Sequence, residues 1–141
     1  MKIRAFGALA LAATLASLTA CGSSTPLVAP APVLTFTTET FTGSVDPPLG
    51  ADIHPFTLAA TGQVDVTLTA AGPPATIQMG LGVGVPGGTT CALLTGGFVT
   101  VPAGTVPQLS GSLPAGAYCV QVYDVGNQSA SITYTVTVTH P

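Results

Sequence analysis

A chain of 141 residues with only 5% charged side chains, two Lys/Arg against five Asp/Glu, carries a formal net charge of −3. Both cations, Lys2 and Arg4, stand at the extreme N-terminus, so the rest of the chain has nothing with which to displace counterions from nucleic acid or clasp a phosphorylated cofactor. Nucleic-acid binding is thereby excluded, anionic ligands are disfavoured, and stability beyond residue 4 must rest on burial, backbone hydrogen bonds and disulfide chemistry without any Lys/Arg ion pair.

Residues 1–20 read as an export signal: Lys2 and Arg4, an apolar run from Ala5 to Leu18, then small residues up to Cys21. The run is about 14 residues, short of the roughly 20 that cross a bilayer. Leu18-Thr19-Ala20-Cys21 resembles the bacterial lipobox. That resemblance implies cleavage before Cys21, a thioether-linked diacylglycerol on its sulfur and an added N-acyl chain such as palmitate. Two or three such chains, at about 0.8 kcal/mol per buried methylene, hold a protein stably where one is marginal. The lipid on Cys21 is the only cofactor-like group expected. Gly22, where an Asp would favour retention at the inner membrane, implies passage to the outer membrane, on either its periplasmic or its surface face. From Cys21 to residue 33 the Pro/Ser/Ala-rich stretch reads as a tether, reaching about 37 Å at about 3.1 Å per residue. Residues 34–141 then supply 108 residues, enough for one core.

In chain order, Thr40–Val45 and His54–Ala59 contribute Phe41, Val45, Phe56 and Leu58 at period two. Gln63–Ala71 alternates Val64, Val66 and Leu68 against Asp65, Thr67 and Thr69. Thr76–Val85 sets Ile77, Met79, Leu81, Val83 and Val85 against Gln78, Gly80, Gly82 and Gly84. Weaker strands are predicted at Ala92–Leu94, Phe98–Val101 and Gln108–Leu113, and strong ones at Ala117–Val125 and Ser131–Thr139. With Gly/Pro punctuation between them, these predict an all-β fold: a small antiparallel sandwich, jelly-roll-like, of about eight strands. Threonine takes the outer positions, polar yet well suited to strands.

With Cys21 lipidated, Cys91 and Cys119 are left to pair in an oxidising compartment. The bridge closes a loop of about 29 residues, for which the chain-entropy estimate is roughly 3.5 kcal/mol. Phase adds a constraint. If Tyr118, Val120 and Val122 point inward, Cys119 points outward, so the bridge clamps the outside of a sheet to a loop at Cys91 and does not cross the core.

Asp52-Ile53-His54-Pro55-Phe56, Gly62-Gln63-Val64-Asp65-Val66-Thr67-Leu68, Leu113-Pro114-Ala115-Gly116-Ala117-Tyr118 and Tyr134-Thr135-Val136-Thr137-Val138 together resemble the bacterial pre-peptidase C-terminal (PPC) domain, over roughly residues 41–140. The resemblance implies a small jelly-roll-like sandwich of the kind appended to secreted peptidases, with relatives that bind matrix polymers, glycans or calcium. No peptidase accompanies the domain here, and the cysteine pair lies outside the family's pattern.

Candidate sites are few. His54, in phase with Phe56 and Leu58, reads as a sheet-end residue, and His140 as a disordered terminal one. No nucleophile-elbow pattern accompanies either, so no catalytic residue is expected. Hard cations take oxygen ligands, which makes Glu39, Asp46, Asp52 and Asp124 the candidates for calcium, though no DxDxD cluster gathers them. Gln78, Gly80, Gly82 and Gly84 leave a strip of bare backbone. A covering loop stapled by Cys91 is the favoured reading. The alternative is a shallow groove for an extended glycan or peptide, contacted by Gln78, Gln121 and Tyr123.

The sequence thus reads as a lipid-anchored envelope protein with a non-catalytic interaction or structural sandwich. Its expected partners are the membrane and a glycan, matrix polymer or envelope protein. A polysaccharide- or matrix-binding module, calcium-assisted, and an accessory to a secreted peptidase stand as alternatives.

Overall fold

A computed structural model describes residues 33–141; the leader, Cys21 and the tether up to residue 32 lie outside the described residues. The domain is built from eight strands: β1 (Thr37–Val45), β2 (Ala51–Leu58), β3 (Gly62–Gly72), β4 (Met79–Pro86), β5 (Cys91–Val101), β6 (Leu109–Leu113), β7 (Gly116–Tyr123) and β8 (Ile132–His140). They form two antiparallel four-stranded sheets, β1-β8-β3-β6 and β2-β7-β4-β5. β1 meets β2 along one edge of the sandwich and β6 meets β5 along the other.

The period-two pattern places the core as expected. Val64, Val66 and Leu68 of β3, Met79, Leu81 and Val83 of β4, Tyr118, Val120 and Val122 of β7, and Ile132, Tyr134, Val136 and Val138 of β8 are all buried between the sheets. Each aliphatic side chain so buried contributes about 1.5–3 kcal/mol relative to exposure. On the outer face of the first sheet, hydroxyls pair across strands where charges would ordinarily stand. Thr38 lies opposite Thr139, Thr40 opposite Thr137 and Thr42 opposite Thr135. The Oγ1 atoms of Thr38 and Thr139 are 2.8 Å apart.

Several boundaries differ from expectation, each for a local reason. Thr76–Gln78 are not strand: Ile77 N–H bonds Pro74 O at 3.0 Å and closes a turn, so β4 starts at Met79. Ala92–Leu94 and Phe98–Val101 are one strand. Its Gly96 (φ 75°) and Gly97 sit at a register shift against Gly82 and Gly84, a bulge that keeps the ladder continuous. β2 begins at Ala51, which brings Asp52 into the sheet, and β7 ends at Tyr123, which leaves Asp124 in the following loop.

The disulfide joins Cys91 and Cys119 with their Cα atoms 6.0 Å apart. Cys119 faces away from the core, as its phase requires, yet is only 1% exposed. Cys91 is the first residue of β5 and not part of a loop. It pairs opposite Pro86 while Cys119 pairs opposite Gly84, so the bridge passes over β4 and ties together the two strands that flank it. Gly84 has no room for a methyl group, which would collide with Ala92 O and lie 2.8 Å from Cys91 Sγ.

Free edges are treated unequally. Pro55 stands in edge strand β2 and cannot donate to an added strand. Above β6, the edge of β3 is closed by the side chain of Gln108, whose Oε1 accepts from Leu68 N–H at 2.7 Å and whose Nε2 donates to Leu68 O at 3.3 Å. Gly104 N–H adds a 2.8 Å bond to the same carbonyl. β6 therefore covers only the lower part of β3, from Gly62 to Val66.

Candidate functional site

Alternation on β2 places Asp52 and His54 on the same inward face as Phe56 and Leu58. Across the gap, β8 supplies Tyr134, which is 3% exposed. Tyr134 Oη donates to Asp52 Oδ2 at 2.7 Å and lies 2.7 Å from His54 Nε2, while His54 Nε2 and Asp52 Oδ2 are 3.6 Å apart. A phenol has one proton, and here it is committed to Asp52, so the contact with the imidazole is donated by His54 Nε2–H. Phe41 of β1 stacks on the imidazole with ring centroids 4.8 Å apart, and Gly43 leaves the space the carboxylate occupies. A methyl at Gly43 would collide with Asp52 Oδ2 and lie 2.7 Å from Tyr134 Oη. Burial pushes the Tyr134 hydroxyl well above the ordinary tyrosine range, helped by its bond to, and the charge of, Asp52.

His54 is thus interior to β2 and not at a sheet end. His140 is likewise ordered: it closes β8, is 4% exposed, holds Glu39 Oε1 through Nε2 at 2.8 Å and packs against Phe56 with centroids 5.4 Å apart. The cluster was partly legible, since Asp52 and His54 two apart share a strand face. Tyr134 read only as a core position, because nothing in the sequence says which strand faces which.

The four candidate calcium carboxylates are dispersed. Glu39 pairs with His140, Asp52 belongs to the Tyr134 cluster, Asp46 lies in the β1–β2 loop and Asp124 in the β7–β8 loop. Among the described residues, no three of His, Cys, Asp and Glu converge. Asp124 instead organises loops. Its Oδ2 accepts from Leu49 N–H at 3.0 Å, which fixes Leu49 in a left-handed conformation (φ 57°), and its Oδ1 accepts from Gly126 and Asn127 N–H at 2.8 and 3.2 Å. Burial raises this carboxyl, but the backbone N–H groups of Leu49, Gly126, Asn127 and Gln128 outweigh it, and the net position is below the ordinary carboxylate range. A depressed folded-state value gives stability that is complete above the unfolded value, about 3.9, and is lost as pH falls through the lower folded value. Asp124→Asn is expected to lower stability at neutral pH and to flatten the acid limb of a urea-unfolding series taken down to about pH 2. An unchanged acid limb would show that the carboxylate does not hold the loops.

The glycine strip of β4 is covered, and by side chains of its own sheet where a loop was expected. A methyl at Gly80 would strike the Tyr123 ring, one at Gly82 would meet Leu93 Cδ2 at 2.7 Å, and Gly84 lies under the disulfide. Gly80, Gly82 and Gly84 are buried, which removes the bare backbone a groove there requires. Gln121 pairs opposite Gly82 and Tyr123 opposite Gly80, so they are neighbours on β7, while Gln78 precedes β4 and its carbonyl accepts from Asn127 Nδ2 at 3.0 Å.

An opening that the sequence did not announce lies at the other edge. Val64, Val66, Val83, Leu94, Leu109 and Leu113 line an apolar slot of about 180 Å³ between β5 and β6. Gly111 creates it: it stands between the inward-facing Leu109 and Leu113, opposite Val64, and a methyl there would meet no atom within 4 Å. The signal was present as a glycine at an inward phase position of a predicted strand.

No family model, curated protein or solved structure matches the chain.

Proposed function

We propose that this chain is a lipid-anchored protein of the bacterial cell envelope whose sandwich, PPC-like in its strand motifs, is a non-catalytic interaction module. The anchor is read from Leu18-Thr19-Ala20-Cys21 behind a basic and apolar leader. The observation that supports the non-catalytic reading is the engagement of His54 by a buried phenol that is itself bonded to a carboxylate. A histidine that activates a nucleophile accepts a proton from a hydroxyl, whereas the Tyr134 hydroxyl beside His54 Nε2 already donates its proton to Asp52. The arrangement pins β2 to β8 across the sandwich, and the second histidine is engaged by Glu39 in the same way, as a tie between strands.

A glycan-binding reading has one observation in its favour. An open trough beside the cluster is lined by Thr42, Ser44, Thr133 and Thr135 together with Ala70, Ala71 and Pro73. It presents no exposed aromatic ring on which a sugar could stack, which leaves it second.

Metabolic labelling with an alkyne fatty acid tests the anchor. Label and membrane association are both expected to disappear in Cys21→Ala, and protease treatment of intact cells then reports which membrane face carries the domain. Retention of label and membrane binding in Cys21→Ala would sink the proposal.

A further inference from the structure

We propose that β6 is the docking edge for an extended, uncharged peptide strand of a partner protein, which pairs with Leu109–Leu113 and seats one apolar side chain in the slot left by Gly111. The inference rests on reading the sandwich as an interaction module and names the partner chemistry that the module takes.

β6 is the terminal strand of its sheet, Leu-Ser-Gly-Ser-Leu, with neither charge nor proline to deter another strand. The other edges are less receptive. β1 carries the charged Glu39, β2 contains Pro55, the exposed part of β3 is closed by Gln108, and β5 is kinked by its bulge and the left-handed Gly96. A strand added to β6 sets one residue directly opposite Gly111 and on the same face, with Cβ positions about 4.5–5.5 Å apart. That residue leans across the glycine into the slot, much as a large side chain shields a glycine in designed sheets. Gly111 does not have a left-handed backbone, so the missing side chain is not a conformational requirement of the turn chemistry around it.

Size and charge select the occupant. A slot of about 180 Å³ is close to the roughly 150 Å³ cavity that takes a benzene ring, which suits one leucine or phenylalanine side chain and not a long acyl chain. No ionisable side chain lines it. The one carboxylate at this edge, Asp65, is already held on the outer face by Ser110 Oγ at 2.6 Å and Gln63 Nε2 at 2.9 Å, and it opposes an acidic strand there. The pairing is strand addition: main-chain hydrogen bonds supply adhesion, and the single pocket supplies selectivity.

The test uses the exported full chain carrying Cys21→Ala, isolated without detergent and labelled with ¹⁵N. The probe is a short capped threonine/serine peptide with one central leucine, compared with the same peptide bearing glycine there. The leucine peptide is expected to shift and protect the amides of Leu109–Leu113 and to bind at least about tenfold tighter than the glycine peptide. Gly111→Val, which fills the slot and raises the thermal midpoint, is expected to erase that preference; Gly111→Ala provides the same comparison with less bulk. Equal affinity for the two peptides, unshifted β6 amides at millimolar peptide, or an undiminished preference in both folded variants would overturn the proposal. So would a slot that takes up benzene without any competition from the leucine peptide. Lipidation at Cys21 is read separately: a labelled protein that ignores the peptide overturns this inference alone, and an unlabelled one that binds it overturns the envelope reading alone.

Discussion

Replacing Cys91 and Cys119 together by alanine is expected to lower the unfolding free energy by about 3.5 kcal/mol, with most of the effect arising in the unfolded chain. The bridge spans a sequence separation of 28 residues, and opening it releases that loop in the denatured ensemble. In the folded state β5 remains paired to β4, and β4 to β7, so the sheet keeps its connectivity without the covalent tie. This is a large share of the stability of a small domain with no Lys or Arg beyond residue 4 to form an offsetting ion pair. Urea unfolding checks it. The midpoint should fall and the slope rise, because the unlinked chain exposes more surface when it unfolds. A midpoint equal to wild type would mean that the loop is already constrained in the unfolded state and that the bridge serves another purpose.

Tyr134→Phe is expected to cost about 2–3 kcal/mol, although it removes a single oxygen atom. That atom is the acceptor for His54 Nε2–H and the donor to Asp52 Oδ2; after its loss Asp52 keeps only the Ile53 N–H bond on Oδ1, at 2.9 Å. A partly buried carboxylate loses its best partner, and an imidazole stacked on Phe41 is left facing an apolar ring edge. In an Asp52→Ala background the same change should cost clearly less, because the two side chains belong to one network. Alkaline unfolding gives an independent signature. The folded-state value of Tyr134 lies above its unfolded value, so its contribution is complete below about pH 10 and is lost as pH rises through the folded-state value. Between about pH 10 and that value, wild type should therefore weaken more steeply than Tyr134→Phe. Parallel alkaline limbs, together with additive costs in the double variant, would show that the cluster is an incidental contact.

The strands were readable because their period is two and their inward residues are Val, Leu, Ile, Met, Phe and Tyr. The alternation in Thr133 to Val138 alone decides which side of β8 is buried. Edges were harder. Ala51 and Tyr123, paired with each other, mark strand ends set by pairing partners, and the merger of two short segments into β5 depends on a bulge against β4 that no local pattern encodes. His140 looked like a loose terminal residue; it is buried because Glu39 and Phe56 lie beside it, two elements distant in sequence and adjacent in space.

By itself, the sequence determined the absence of cationic side chains beyond residue 4, the all-β class, the face of Cys119 and the identity of most core residues. These follow from composition and from a side-chain alternation that is local to each strand. Only the tertiary structure decided that the bridge passes over Gly84, that Tyr123 and Leu93 cover the glycine strip, that Tyr134 joins Asp52 to His54, and that Gly111 opens a slot beside β5. Each of those depends on which strands are neighbours and in what register. Register is set by the summed packing of both sheets, a quantity that no single stretch of the chain carries.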